Sequence, residues 1–206
     1  GEDENNLKAA IAFKNGGLGT PILIAKEEIV KKKLYEIGYG ENFDIKIVNS
    51  TNEDLRVKYT EFLFKKLQRS EGLLERDCDK LIRNDRVTFG ACMVSCGDAD
   101  AMVTGNTRRY SSSLEKICKV VDPRPGEIMF GLNMIVNRGK TIFICDTTVI
   151  EYPDEKQLAE MAISAARVVR LFGFDPKVAF LSHSTFGQPT TDRTKRTSDA
   201  VKILKE

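Results

Sequence analysis

One histidine, His183, and five cysteines with no CxxC spacing leave this chain short of transition-metal ligands. A structural zinc site needs about four closely spaced sulfur or nitrogen ligands. Cys78, Cys92, Cys96, Cys118 and Cys145 do not supply them. Cys92 and Cys96 fall in a predicted helix, so buried free thiols are the expectation. An odd count without a dense framework predicts reduced thiols and a cytoplasmic protein. No apolar run exceeds about eight residues, well short of the ~20 that span a bilayer, and the opening "GEDENN" does not read as a signal peptide. Charge of one sign is also lacking. The 32 basic and 30 acidic residues give a net charge of +2 and are interspersed, which predicts neither a nucleic-acid partner nor a membrane partner. No dinucleotide fingerprint or P-loop is present. "NGGLGTP", Asn15 to Pro21, precedes a strand instead of joining a strand to a helix.

What is there is a chain of 206 residues, 41% hydrophobic and 30% charged, enough for one domain or two small lobes. Apolar spacing predicts helices over 2–15, 26–37, 53–68, 73–82 and 107–121. A further helix over 86–96 is apolar on nearly every side and is expected at the centre. Short apolar or alternating runs predict strands at 21–25, in "FDIKIVN", in "ADAMVTG" (99–105) and in "PKVAFLS" (176–182). "EIMFGLNMIVN" and "KTIFICDTTVI" flank "NRGK", which predicts a hairpin turn over Asn137 to Lys140. Asp154 with Gln157 is a capping-box pattern for a helix running to Gly173, and a last helix is predicted over 192–205. Alternating helices and strands imply an α/β fold, a mainly parallel sheet with helices on both faces plus one antiparallel hairpin. The chain starts and stops on helices, so an excerpt from a longer polypeptide is expected.

Two loops have the residue types that grip anions. "TGNTRR", Thr104 to Arg109, and "SHSTFGQPTTDRTKR", Ser182 to Arg196, each follow a predicted strand and offer hydroxyls, a glycine and arginines ahead of a helix. Backbone N–H groups at a helix start and arginines favour phosphate or carboxylate. Such loops also serve as ordinary helix caps. His183 could act as a base for Ser182 or Ser184, but neighbours at a strand end point to opposite sides, which favours a structural histidine. Asp98 and Asp100 could hold a cation; capping the turn before the strand is the preferred role.

"DRVTFGACMVSCGDADAMVTG", "FICDTTVIEYPDEKQLAEMAISAARVVRLFGFDPKVAFLSHSTFG" and "AVKIL" resemble phosphate acetyl/butyryltransferases. More closely, they are similar to the phosphotransacetylase-like C-terminal domain of bacterial NAD(P)-dependent malic enzymes, and "GDADAMVTGNTRRY" in particular resembles that version. The resemblance covers the whole chain. It implies a two-lobed fold of the isocitrate/isopropylmalate dehydrogenase-like type, with lobe one at about 1–122 and lobe two, incomplete, at about 123–206. It also implies a cleft for coenzyme A and a homodimer or higher homo-oligomer. By the same resemblance, Thr104, Gly105, Thr107, Arg108, Arg109, Ser182, Ser184, Thr185 and Gly187 line the cleft.

The departures from the transferase pattern are charge changes. Where the transferases carry an arginine in a "VRP" context, this sequence has Glu115 within Leu114-Glu115-Lys116. The cysteine of their "ADCAV" segment is Thr147 here, and the lysine of "STKG" is Phe186. Their Ser-Arg…Asp catalytic segment is not in this chain. The resemblance therefore implies a regulatory and dimerising domain that binds acetyl-CoA or another CoA ester, with no catalytic residue and no cofactor of its own. NAD(P) and a divalent metal, Mg or Mn, would belong to an N-terminal malic-enzyme region of the same polypeptide. The alternative is a working phosphate acyltransferase, with Arg86, Ser182 and Ser184 as pocket residues.

Overall fold

A computed structural model describes residues 1–39, 45–186 and 188–205. Phe43, Asp44 and Gly187, named above in a strand and in a loop, lie outside those residues. The described residues form eight helices and four strands in two compact units, 1–122 and 123–206.

In the first unit, α1 (Glu4–Asn15) is capped by Asp3, whose carboxylate accepts from the N–H groups of Asn5 and Asn6. Leu7 and Ile11 face inward and Phe13 is exposed. β1 (Ile22–Ile24) pairs in parallel with β2 (Lys46–Val48), Leu23 opposite Ile47. α2 (Glu27–Glu36) crosses between them, and Val30 and Leu34 close a small core with Leu7 and Leu23.

The larger core is helical. α3 (Glu53–Ser70), α4 (Glu75–Asn84) and α6 (Tyr110–Val120) pack around α5 (Arg86–Ser95). Every residue of α5 from Val87 to Met93 is buried, which is why its sequence lacks a polar face. Phe89 meets Tyr59 of α3 edge to face, ring centroids 5.0 Å apart. Burying one such side chain contributes roughly 1.5–3 kcal/mol. A Cβ on Gly90 would come within 2.6 Å of Met102 Sδ and 3.0 Å of Ile24 Cδ1, so this glycine lets α5 approach its neighbours closely. On α6, Leu114, Ile117 and Cys118 are half-buried. Ser113 and Val120 are buried, whereas Tyr110 and Val121 are exposed.

In the second unit, β3 (Asn133–Asn137) and β4 (Lys140–Ile144) form the expected antiparallel hairpin. Its turn puts Arg138 at φ 48° and Gly139 at φ 75°, the pair of left-handed residues that a two-residue hairpin turn requires. Phe143 packs against Phe172 and Phe174, at centroid distances of 5.7 and 6.1 Å. α7 (Glu155–Leu171) starts at the expected capping box: Gln157 N–H donates to Asp154 Oδ1 at 2.7 Å and Asp154 N–H to Gln157 Oε1 at 3.0 Å. α8 (Asp192–Ile203) packs on α7 and is capped by Thr191.

The expected strands at 99–105 and 176–182 do not form among the described residues. The parallel sheet there is confined to β1 and β2. A strand needs a neighbour to accept its N–H and C=O groups. Neither segment has one, and Val103 and Leu181 stand almost fully exposed.

Candidate functional site

In "TGNTRR" the side chains of Thr104, Thr107, Arg108 and Arg109 are exposed, as is Gly105. Gly105 sits at φ 121°, a conformation that side-chain-bearing residues rarely adopt. Asn106 Nδ2 anchors the loop by donating to Asp3 Oδ1 at 2.8 Å. The hydroxyls do not cap the helix that follows. The N-cap of α6 is Arg109, which makes no side-chain capping bond. The start of α6 thus receives no side-chain cap from its N-cap residue and lies beside an exposed guanidinium. Among the described residues Arg109 has no ion-pair partner.

Arg108 is placed differently. Its Nη1 lies 3.8 Å from Asp85 Oδ1, and Lys116 Nζ lies 3.2 Å from the same oxygen. Asp85 caps α5, accepting from Thr88 Oγ1 at 2.7 Å. Burial pushes the Asp85 carboxyl up, but the bond from Thr88 and the charge of Lys116 outweigh it and hold the pKa below the ordinary value. Arg86, a pocket residue in the acyltransferase reading, is paired with Glu2 at 2.6 Å.

The second loop lies in the second unit. Ser182 and Ser184 bond each other, Oγ to Oγ at 3.1 Å, and Ser184 N–H donates to Ser182 Oγ at 3.2 Å. Thr185 and Gln188 exchange backbone bonds of 2.8 and 3.1 Å around Phe186, which has φ 50° and projects fully into solvent. His183 is exposed and makes no hydrogen bond to either serine among the described residues, so no nucleophile–base pair is assembled there. Thr191, not this loop, caps α8.

Among the described residues the Asp98 carboxylate does not cap its own turn. It receives Lys58 Nζ at 2.7 and 2.8 Å and Tyr59 OH at 2.8 Å, clipping the segment before "TGNTRR" onto α3. Lys58 first, then Tyr59, lower its pKa. Among the described residues no group of three or more His, Cys, Asp or Glu side chains could hold a metal ion. Cys78 and Cys92 are buried free thiols, and burial raises Cys92 to about 12. Cys145 is exposed.

Sequence reasoning missed Asp85 and Lys116. The D-x-x-T spacing of Asp85 and Thr88 marks a cap, but nothing local shows that a cation from α6 and one from the loop converge on it.

The phosphate acetyl/butaryl transferase family profile matches residues 1–206. The chain belongs to that family. It is 41% identical over 205 residues to a protein named NADP-dependent malic enzyme from Rhizobium meliloti, covering 99% of this chain and 27% of that one. It is 28% identical over 210 residues to a phosphate acetyltransferase from Nitratidesulfovibrio vulgaris, covering 100% of this chain and 29% of the relative. The solved phosphotransacetylase from Streptococcus pyogenes superposes with a TM-score of 0.84 at 26% identity, over 98% of this chain and 61% of that one. The family domain thus occurs within malic enzymes and within phosphate acetyltransferases, and this chain spans about a quarter of the length of the malic enzyme it matches.

Proposed function

We propose that this chain is a regulatory, CoA-ester-binding domain of a malic enzyme and does not itself transfer acyl groups. The observation that carries the reading is the "TGNTRR" loop, with Arg109 exposed and, among the described residues, without an ion-pair partner at the start of α6, where its side chain makes no capping bond. A helix start beside an exposed guanidinium suits the phosphates of a CoA ester such as acetyl-CoA. The similarity to malic enzymes supports the choice of parent. In that reading the parent is cytoplasmic and oxidatively decarboxylates malate to pyruvate, with NAD(P) and a divalent metal, Mg or Mn, held by an N-terminal region outside this chain.

The domain also self-associates in this reading. Ile135 and Ile142 stand opposite each other on the hairpin, and both are exposed, as is Ile144. Such an apolar strip suits a second copy of the chain. The acyltransferase reading draws on the relatives named for that activity. It is disfavoured by Glu115 and Phe186, which replace cations of the transferase pattern.

Calorimetry of acetyl-CoA binding to the full-length protein tests the loop. Arg109→Ala is expected to weaken binding by about 1.5–3 kcal/mol, the scale of a charge-assisted hydrogen bond. Equal affinity of wild type and variant would remove Arg109 from the site.

A further inference from the structure

Asp85 and the cations around it share one groove of about 410 Å³, whose polar lining is Asp77, Lys80 and Asn84 of α4, Asp85, Arg108 of the loop and Lys116 of α6. Asp85 is only 7% exposed. Its Oδ2 is committed to Thr88, while its enclosed Oδ1 accepts no hydrogen bond. The approaches of Lys116 at 3.2 Å and Arg108 at 3.8 Å are therefore ion pairs, and the second is too long for a hydrogen bond. The guanidinium that the loop could offer to an anion is tethered to an internal carboxylate, while its neighbour Arg109 has no ion-pair partner among the described residues.

We propose that Asp85 is a positioning residue that withholds Arg108 from anions, and that Lys116 sets how firmly it does so. One carboxylate oxygen is shared between two cations. Lys116, the closer one, neutralises most of the charge, which leaves Arg108 loosely held and transferable to a dianion such as a phosphate. Removing the carboxylate frees Arg108. Removing Lys116 leaves Asp85 to Arg108 alone and tightens the tether. The two substitutions push Arg108 in opposite directions, which a role for Asp85 confined to capping α5 would not produce. Naming acetyl-CoA as the anion rests on the function proposed above; the tether does not.

The test uses the full-length protein and a ligand-free readout. Phenylglyoxal modifies accessible, unpaired arginines, and peptide mass spectrometry gives the rate at each site. Arg109 serves as the internal reference. In the wild type, Arg108 is expected to react about 3- to 10-fold more slowly than Arg109, the scale of an ion pair between partly exposed and buried partners. Asp85→Asn should bring the two rates together. Asparagine is as good a helix cap as aspartate, so α5 should survive, with a thermal melt as the check. Lys116→Met should slow Arg108 further, and it carries the test if Asp85→Asn does not fold. Equal rates in the wild type, no change in Asp85→Asn, or a faster Arg108 in Lys116→Met would each overturn the proposal. A parallel titration with acetyl-CoA should show tighter binding by about 3- to 10-fold in Asp85→Asn and weaker binding in Lys116→Met. If the modification rates follow the expected order but acetyl-CoA binds no variant, the tether stands and the CoA reading falls. If acetyl-CoA binds but Asp85→Asn leaves Arg108 unchanged, the CoA reading stands and the tether falls.

Discussion

Incubated with acetyl phosphate and CoA, the full-length protein is expected to form acetyl-CoA at under about one ten-thousandth of a typical enzymatic rate of ~10 s⁻¹. Acyl transfer between CoA and phosphate needs a site for the phosphate dianion and stabilisation of the departing thiolate. The family resemblance puts a cation at each of two positions that here hold Glu115 and Phe186. Glu115 is exposed on α6 and pairs with Lys119, at 3.7 Å, one turn away. Phe186 projects into solvent at the tip of its turn. Losing one preorganised electrostatic group costs about 10²- to 10³-fold in rate, and losing both should multiply the penalty. Turnover within about tenfold of ~10 s⁻¹ would restore the acyltransferase reading.

Replacing Asp146 by alanine should destabilise the second unit by about 2–4 kcal/mol. Asp146 follows β4, and its carboxylate accepts from four backbone donors: Gly131 at 2.8 Å, Thr148 at 2.9 Å, Val149 at 3.2 Å and Ile150 at 2.5 Å. It fastens the entry to the hairpin to the turn that leaves it. A Cβ on Gly131 would lie 2.7 Å from Thr147 Oγ1, so the two segments touch without room for a side chain. Alanine would leave these donors without their acceptor, and several of them are only half-exposed to water. The pH dependence has a definite sign. Burial raises the pKa of Asp146, but the backbone bonds outweigh it and set the pKa below the ordinary aspartate value. A depressed carboxyl stabilises the fold above its unfolded pKa of about 4 and loses that contribution as pH falls through the folded value. The gap between wild type and Asp146→Ala in chemical denaturation should therefore be full at pH 7 and narrow below about pH 4. A gap that is constant across that range would mean that the carboxylate charge contributes nothing.

The features legible in the sequence were the ones set by nearby residues. "NRGK" between two apolar runs specifies its own turn, and the hairpin forms where expected. Asp154 with Gln157 is a local signal and caps α7. The apolar sequence of α5 announced its central place. The misses depend on distant partners. "ADAMVTG" and "PKVAFLS" have strand-like composition, but composition cannot supply the neighbouring strand that would pair with them. Packing against α5 buries Ser113 of α6, a residue whose type does not mark it for the core. In the site, the loop and its exposed arginines were legible from their residue types. That Arg108 is tethered was not, because the tether is a carboxylate more than twenty positions earlier in the chain.

The central claim is that the domain senses a CoA ester on behalf of an attached malic enzyme. The most direct measurement is malate oxidation by the full-length protein, followed as NAD(P)H appears while acetyl-CoA is titrated. The account predicts a saturable change in rate whose half-maximal concentration rises by about tenfold or more in Arg109→Ala, the kinetic counterpart of a lost charge-assisted bond. A rate that acetyl-CoA leaves unchanged at every concentration, in a protein that oxidises malate, would contradict it.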